Sequence, residues 1–178
     1  MTELCQLATK YGTDKAELYT PVYDLLLSGR RQQVQTVLEI GIGTVEAMKH
    51  VPGYQPGASL RMWREYFPNA LVWGADIFPS DDVGALQLDQ GNAAQLVQVG
   101  EKYGPFDLII DDGSHDPHHQ VLGLQTLSPY LTEDGLYIIE DVNNFDELVQ
   151  KIPMDSLCIS YPSPYKHAAR CMVIRAQH

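Results

Sequence analysis

The sequence predicts an α/β fold built on a doubly wound, mostly parallel sheet of seven strands in a single domain, and three observations predict it. Five short apolar runs, several rich in β-branched residues, alternate with helical patterns; such runs suit strands buried on both faces and joined by crossover helices. The 178 residues contain no internal repeat, low-complexity tract or linker at which to divide them, so residues 1–178 read as one domain with a substantial core. The runs end in glycine or acidic residues, and ligands of doubly wound sheets bind beyond the carboxyl ends of the strands.

The expected strands are VQTVLEI (34–40), ALVWGAD (70–76), ALQLD (85–89), FDLIID (106–111) and LYIIED (136–141). SLCIS (156–160) and CMVIR (171–175) add two more, and the Pro- and Tyr-containing loop between them suits a closing hairpin. Between the runs, Thr20 reads as an N-cap and Pro21 as the first helical residue of PVYDLLLSG, with Gly29 ending it. Ser59 is the expected cap of LRMWREYF, where Leu60, Trp63 and Phe67 share a face and Pro68 stops the run. Asp116–Pro117 repeats the cap-plus-proline signal before Val121, Leu124, Gln125 and Ser128 at helical spacing, with Leu127 and Leu131 extending the apolar side.

Composition narrows the function classes. Hydrophobic residues at 44% and charged residues at 20% are ordinary for a soluble globular protein. A net charge of −11 argues against a nucleic acid or an anionic membrane as partner, since both reward basic surfaces. The acid excess serves solubility, and part of it suits a cation site. The start MTELCQLATKYG lacks the apolar core of a signal peptide, and nowhere do 18 apolar residues run together. Cys5, Cys158 and Cys171 are scattered without CxxC spacing, so a cytoplasmic protein is expected rather than a disulfide framework or zinc site.

The strand ends carry the candidate chemistry. After the first strand, Glu39-Ile40-Gly41-Ile42-Gly43 offers two glycines that let backbone approach a ligand; a tight turn without a ligand is the other reading. Glu46 stands where GxGxxG would place its third glycine, and a carboxylate there is a poor neighbour for a pyrophosphate. Asp76 ends the second strand, suited to the two ribose hydroxyls of a nucleoside or, alternatively, to capping a helix. Asp89-Gln90-Gly91 after the third strand suits reading an adenine edge, and is also good turn chemistry. An adenosine without a pyrophosphate is the common denominator, and S-adenosylmethionine is the common cofactor that fits.

The stretch DDGSHDPHHQ (111–120) sets Asp111 beside Asp112 at the end of the fourth strand. Successive side chains of a strand point to opposite faces, so one can face the cofactor and the other the cleft. The next strand ends in Glu140-Asp141. If the two strands are neighbours, Asp112, Glu140 and Asp141 converge, and a divalent cation relieves the repulsion; all-oxygen ligands favour Mg²⁺, Mn²⁺ or Ca²⁺. A helix cap is the alternative for Glu140 or Asp141. His115, three residues beyond Asp112, suits a general base at neutral pH, whereas His118 and His119 read as a solvated helix start.

Taken together, EIGIG, PGASLRMWREYFPNA, GADIF, KYGPFDLIIDDGSH and GLYIIED resemble the metal-dependent O-methyltransferases that modify macrolide sugars, the mycinamicin and macrocin type. The resemblance spans roughly residues 11–142 and implies the Rossmann-like class I methyltransferase fold. It implies that Asp112, Glu140 and Asp141 hold Mg²⁺ and that His115 deprotonates the substrate hydroxyl. It also implies that Glu39, Gly41, Ser59, Asp76 and Asp111 line the S-adenosylmethionine pocket. YGTDK (Tyr11 to Lys15) is similar to a segment that closes over the cofactor, with Thr13 and Lys15 near its carboxylate; a helix-capping turn is the other reading. Thr44-Val45-Glu46 departs from the small residues expected in the cofactor loop. Members of that family are longer, which favours a small or largely exposed acceptor here.

The expected activity is S-adenosylmethionine- and Mg²⁺-dependent methylation of a hydroxyl on a small molecule, a sugar or another vicinal diol of a natural product. A homo-oligomer is left open, as are two rival functions. A nicotinamide-dependent oxidoreductase would bind NAD and no S-adenosylmethionine, and a catalytically silent protein would keep the pocket without the reaction.

Overall fold

A computed structural model describes residues 1–143, 145–152, 156–161 and 169–175. The strands are β1 (Thr36–Ile40), β2 (Leu71–Asp76), β3 (Leu86–Gln87), β4 (Phe106–Asp111), β5 (Leu131–Ile139), β6 (Ser156–Tyr161) and β7 (Ala169–Arg175). The helices are α1 (Glu3–Tyr11), α2 (Thr20–Leu27), α3 (Ala58–Tyr66), α4 (Ala93–Tyr103), α5 (Pro117–Leu127) and α6 (Phe145–Lys151). One sheet runs in the order β3-β2-β1-β4-β5-β7-β6. Strands β1 to β5 are parallel, and β7 is antiparallel to both β5 and β6. The expected doubly wound sheet is therefore present, with β6 and β7 neighbours as a hairpin requires; the loop expected to join them lies outside the described residues.

Period-two alternation divides the core into two layers. Val37, Leu108, Ile110 and Ile138 face α1, α2 and α3, where Tyr23 and Trp63 are buried. Leu38, Ile40, Ile109 and Ile139 face α4 and α5, against Leu96, Val121 and Leu124. A sheet covered on both faces explains why these strands read as continuous apolar runs. Strand order reverses between β1 and β4, so their carboxyl ends form the crevice in which doubly wound sheets bind ligands. Among the described residues, no helix is long and apolar enough to cross a membrane.

Local details differ from the expectation. The cap position of α2 is Tyr19, not Thr20, because the Thr20 hydroxyl accepts the backbone N–H of Glu17 instead. The helix ends at Leu27 and tightens into a 3₁₀ turn over Ser28–Arg30 rather than stopping at Gly29. α3 begins at Ala58 with Gly57 as cap in the left-handed conformation, so Ser59 lies inside the helix with its hydroxyl directed elsewhere. β3 keeps only two of its five expected residues because Asp89 turns out of the edge, where its backbone carbonyl and carboxylate accept from Asn92 and Gly91. β5 starts five residues early, at Leu131 rather than Leu136.

At the amino end of the sheet, Asp107 braces three elements. Its carboxylate accepts backbone N–H bonds from Gln35 at 2.7 Å and Thr36 at 3.1 Å, and the Thr132 hydroxyl at 2.9 Å. These bonds tie the starts of β1 and β5 to β4. Hydrogen bonds to an ionised acceptor are stronger than neutral ones, so Asp107→Ala is expected to cost about 1–3 kcal/mol. Urea unfolding should show a lower midpoint with an unchanged slope; an unchanged midpoint would mean that the brace carries no stability.

Candidate active site

At the switch point, backbone approaches backbone. The Gly41 N–H donates to the Ala75 carbonyl at 2.8 Å, and the Asp112 N–H to the Ile40 carbonyl at 2.9 Å. Gly41 has φ +86°, and a Cβ on it would stand 1.9 Å from the Asp112 carbonyl oxygen. No other residue fits there without moving β4. Gly43 has φ +71° and lies against the Tyr54 hydroxyl, which donates to the Ile42 carbonyl at 2.7 Å. The glycine pair thus holds the turn open above β1.

A pocket of about 180 Å³ opens beside this turn, lined by Gly41, Asp76, Asp89, Gln90, Ser114 and His119 among others. The Asp76 carboxylate is fixed by backbone N–H groups of Ile42 at 2.9 Å and Phe78 at 2.8 Å. Gln90 is committed at both ends: its Nε2 donates to Asp111 at 2.7 Å and its Oε1 accepts the Ser114 N–H at 3.0 Å. Its amide thereby shapes the pocket floor. His119, expected to be merely solvated, lines the pocket, with Nδ1 2.9 Å from the Ser114 hydroxyl.

The two adjacent aspartates diverge as strand geometry demands. Asp111 is fully buried on the α4–α5 face, where it accepts from Gln90, from the Tyr137 hydroxyl at 3.1 Å and from the Gly113 N–H at 3.4 Å. Burial pushes its carboxyl up to about 6 against the pull of those donors. Asp112 faces the α1–α3 side and meets the Lys15 ammonium at 2.6 Å.

Lys15 is the centre of a buried cluster. Its Nζ lies 2.7 Å from Glu140 and 3.4 Å from Glu39, and the residue is 1% exposed. Ser59 donates to Glu39 at 2.7 Å and the Trp63 indole at 3.3 Å, while the Tyr23 hydroxyl donates to Glu140. Burial opposes the lysine charge, yet Asp112, Glu140 and Glu39 outweigh it and keep the ammonium protonated. One ammonium does not balance three carboxylates, so burial drives Glu140 and Glu39 up, whereas Lys15 and His115 hold Asp112 down despite its burial. Thr13, also buried, accepts the Lys15 N–H at 3.4 Å.

The expected convergence of Asp112, Glu140 and Asp141 takes a different form. β4 and β5 are neighbours, and the Glu140 N–H donates to the Asp111 carbonyl at 2.8 Å. Glu140, however, turns its carboxylate down to Lys15 and Tyr23, and repulsion between it and Asp112 is relieved by that lysine. The group open to the cleft is Asp112, His115 and Asp141, whose ligand atoms all lie within 4.8 Å of one another. His115 Nε2 is 3.2 Å from Asp112 Oδ1 and 3.6 Å from Asp141 Oδ2. Two partly solvated carboxylates, with an imidazole beside them, fit a hard divalent cation. Both His115 and Asp141 adopt left-handed backbone, at φ +57° and +47°.

Sequence reading missed Tyr19, Tyr23, Tyr54 and His119. The tyrosines cap carboxylates or carbonyls 12 to 122 residues away, so no local spacing announces them; for Tyr19 and Tyr23 the only signal is two tyrosines four apart on one helix face.

The sheet order, the glycine turn over the switch point and the acidic strand ends are those of a class I, Rossmann-like methyltransferase fold. The chain is 40% identical over 152 residues to the 8-demethyl-8-(2-methoxy-alpha-L-rhamnosyl)-tetracenomycin-C 3'-O-methyltransferase of Streptomyces olivaceus, covering 79% of this chain and 37% of that protein. It is 38% identical over 148 residues to the mycinamicin VI 2''-O-methyltransferase of Micromonospora griseorubida, covering 79% and 36%. The solved structure of the MycE methyltransferase from the mycinamycin biosynthetic pathway, in complex with Mg and SAH, matches with a TM-score of 0.70 at 36% identity over 79% of this chain and 36% of that one. A second crystal form of MycE matches with a TM-score of 0.76 at 27% identity, over 99% and 55%. The resemblance read in the sequence is thus borne out, and the chain spans little more than a third of the length of these curated relatives. No protein-family model matches.

His115 provides a pH signature. Burial disfavours its charge, but the hydrogen bond and charge of Asp112, with Asp141 and Glu140, raise it to about 9. Because that value lies above the unfolded value of about 6.5, the stabilisation is complete below about pH 6.5 and is lost as pH rises through about 9. In metal-free protein the His115 ring is expected to titrate near 9 by NMR, and His115→Asn should flatten this part of the thermal-stability profile. A ring titrating at its ordinary value would exclude the ion-paired arrangement.

Proposed function

We propose that this chain forms one S-adenosylmethionine-binding domain of a Mg²⁺-dependent O-methyltransferase that acts on a hydroxyl of a sugar carried by a natural product. The observation that carries the reading is the adjacency of the pocket at Gly41, Asp76 and Asp89 to the trio of Asp112, His115 and Asp141. The activities of the relatives, 3'-O-methylation of a rhamnosyl-tetracenomycin and 2''-O-methylation of mycinamicin VI, support the same chemistry and a small-molecule acceptor. A net charge of −11 supports the absence of nucleic-acid and membrane partners.

Each residue then has a task. Asp76 accepts the two ribose hydroxyls, Asp89 faces the base edge, and Gly41 and Gly43 admit the cofactor's backbone-facing side. Asp111 and Gln90 act from below by fixing the Ser114 backbone and the pocket floor. Glu39 and Ser59, bonded to one another beneath the turn, support the cofactor loop, and Thr13 and Lys15 anchor the segment above it. Asp112 and Asp141 hold the divalent cation, with Glu140 fixing Lys15 behind them. When bound, the cofactor supplies an already activated methyl group and the cation supplies Lewis-acid polarisation of the acceptor hydroxyl. His115 receives the hydroxyl proton; its Nε2 faces Asp112 and Asp141, which hold its own proton in the metal-free protein and would be engaged by the cation when bound. A cation held by only two protein carboxylates would have room for further oxygen ligands, which suits an acceptor offering a vicinal diol.

The cofactor assignment is tested by Asp76→Ala. Losing charge-assisted bonds to the ribose should cost roughly 2–3 kcal/mol, an affinity loss of about thirty-fold or more by calorimetry. Unchanged affinity would take Asp76 out of the pocket. The reaction is tested with methyl α-L-rhamnopyranoside and methyl-labelled S-adenosylmethionine. Label transfer should require Mg²⁺, stop in excess EDTA while the cofactor stays bound, and fall by about 10²–10⁴ in His115→Ala. Transfer that persists undiminished in EDTA would rule out the metal, and undiminished transfer in the variant would reassign the base.

A further inference from the structure

The trio is held from one side by a residue outside it. The Tyr19 hydroxyl donates to Asp141 Oδ1 at 2.6 Å and accepts the Asp141 backbone N–H at 3.0 Å. Tyr19 is 2% exposed, at the cap position of α2. Asp141 itself sits at φ +47°, a conformation that an L residue rarely adopts unless its surroundings enforce it. A single hydroxyl bonded to both the N–H and the carboxylate of one residue requires the two groups to lie on the same side. The left-handed backbone of Asp141 and the Tyr19 bonds therefore belong to one arrangement. With Oδ1 occupied, the other oxygen is the one 3.6 Å from His115.

We propose that Tyr19 is the positioning residue of the cation site: its hydroxyl locks Asp141 in the left-handed conformation that turns Oδ2 toward His115 and Asp112. The proposal rests on reading Asp112 and Asp141, beside His115, as that site. Four residues on, the Tyr23 hydroxyl donates to the Glu140 carboxylate, so α2 addresses both carboxylates at the end of β5 through one face. Groups that orient a metal ligand, without touching the metal, change metal affinity by about 10–100-fold when removed. Tyr19→Phe removes both bonds and keeps the ring in the core.

The test uses the full chain with Mn²⁺ alone and, separately, with S-adenosylhomocysteine, each followed by calorimetry. Tyr19→Phe is expected to weaken Mn²⁺ binding by about 10–100-fold and to leave S-adenosylhomocysteine binding within about two-fold. A merely structural role would lower both together with the melting temperature, and that outcome overturns the proposal. So does an unchanged Mn²⁺ affinity. Wild-type protein that fails to bind Mn²⁺ at all overturns the cation-site reading itself, which separates the two failures. A measurement on the wild type alone guards against a variant that does not fold. The Asp141 amide should be protected from hydrogen exchange although it lies beyond the strand, and rapid exchange there would also overturn the proposal.

Discussion

The buried ammonium of Lys15 is the constraint on which the rest of the site depends. It reaches Glu39 at the end of β1, Asp112 just past β4 and Glu140 just past β5, three adjacent strands of the sheet. Alternation makes this meeting unavoidable, since Glu39, Asp112 and Glu140 all fall on the face that α1 and α2 cover. Without a cation there, the buried Glu39 and Glu140 and the half-buried Asp112 would face one another uncompensated; stripping one partner from a buried ion pair costs about 3–5 kcal/mol. The segment from Gly12 to Tyr19 therefore folds onto the sheet ends because its lysine is required there. Its consequence for chemistry lies in Asp112, whose Oδ2 is taken by Lys15 and whose Oδ1 is left for His115 and the cleft.

Order in that cluster sustains strain next to it. His115 and Asp141 both occupy the left-handed region, which costs a non-glycine residue on the order of 1–3 kcal/mol. Neither would persist in a loosely held loop. Asp112 anchors the first through its hydrogen bond, and Tyr19 anchors the second through two. Glycine solves the opposite problem at position 41, where a side chain is excluded by the Asp112 carbonyl rather than by charge. Rigid backbone, neutralised carboxylates and enforced left-handed residues thus concentrate within a few residues of the switch point.

What the sequence revealed and what it hid follow from range. Parallel strands read clearly because burial on both faces leaves an apolar run whose meaning is local, and Asp116–Pro117 read clearly because a cap bonds two residues away. The opposite destinies of Asp111 and Asp112 were legible from the period of a strand alone. Thr20 and Ser59 misled because each hydroxyl had a rival partner: Glu17 N–H in one case and the buried Glu39, twenty residues distant, in the other. The contact of Glu140 with Lys15 was hidden for the same reason on a larger scale: the lysine is 125 residues away, and a doublet of acids says nothing about which of them a distant lysine will claim. That Asp111, on a neighbouring element, holds the Gln90 amide was likewise beyond any local signal.

The aspartate pair at the end of β4 shows how one strand serves two sites without conflict. Below the sheet, Asp111 orders Gln90, which receives the Ser114 N–H, and Ser114 in turn contacts His119 at the pocket wall. Above it, Asp112 engages Lys15 and His115. The two chains of contacts begin one peptide apart, about 3.8 Å along the backbone, yet their charges point into different layers with different compensation. Asp111 is balanced by three neutral donors and sits high, near 6, while Asp112 is balanced by a full positive charge and sits low. Had the strand lacked its pleat, both carboxylates would have competed for Lys15. Because it has one, a pocket of fixed polar shape and an anionic cleft stand side by side on the same segment, each with its own compensation for charge.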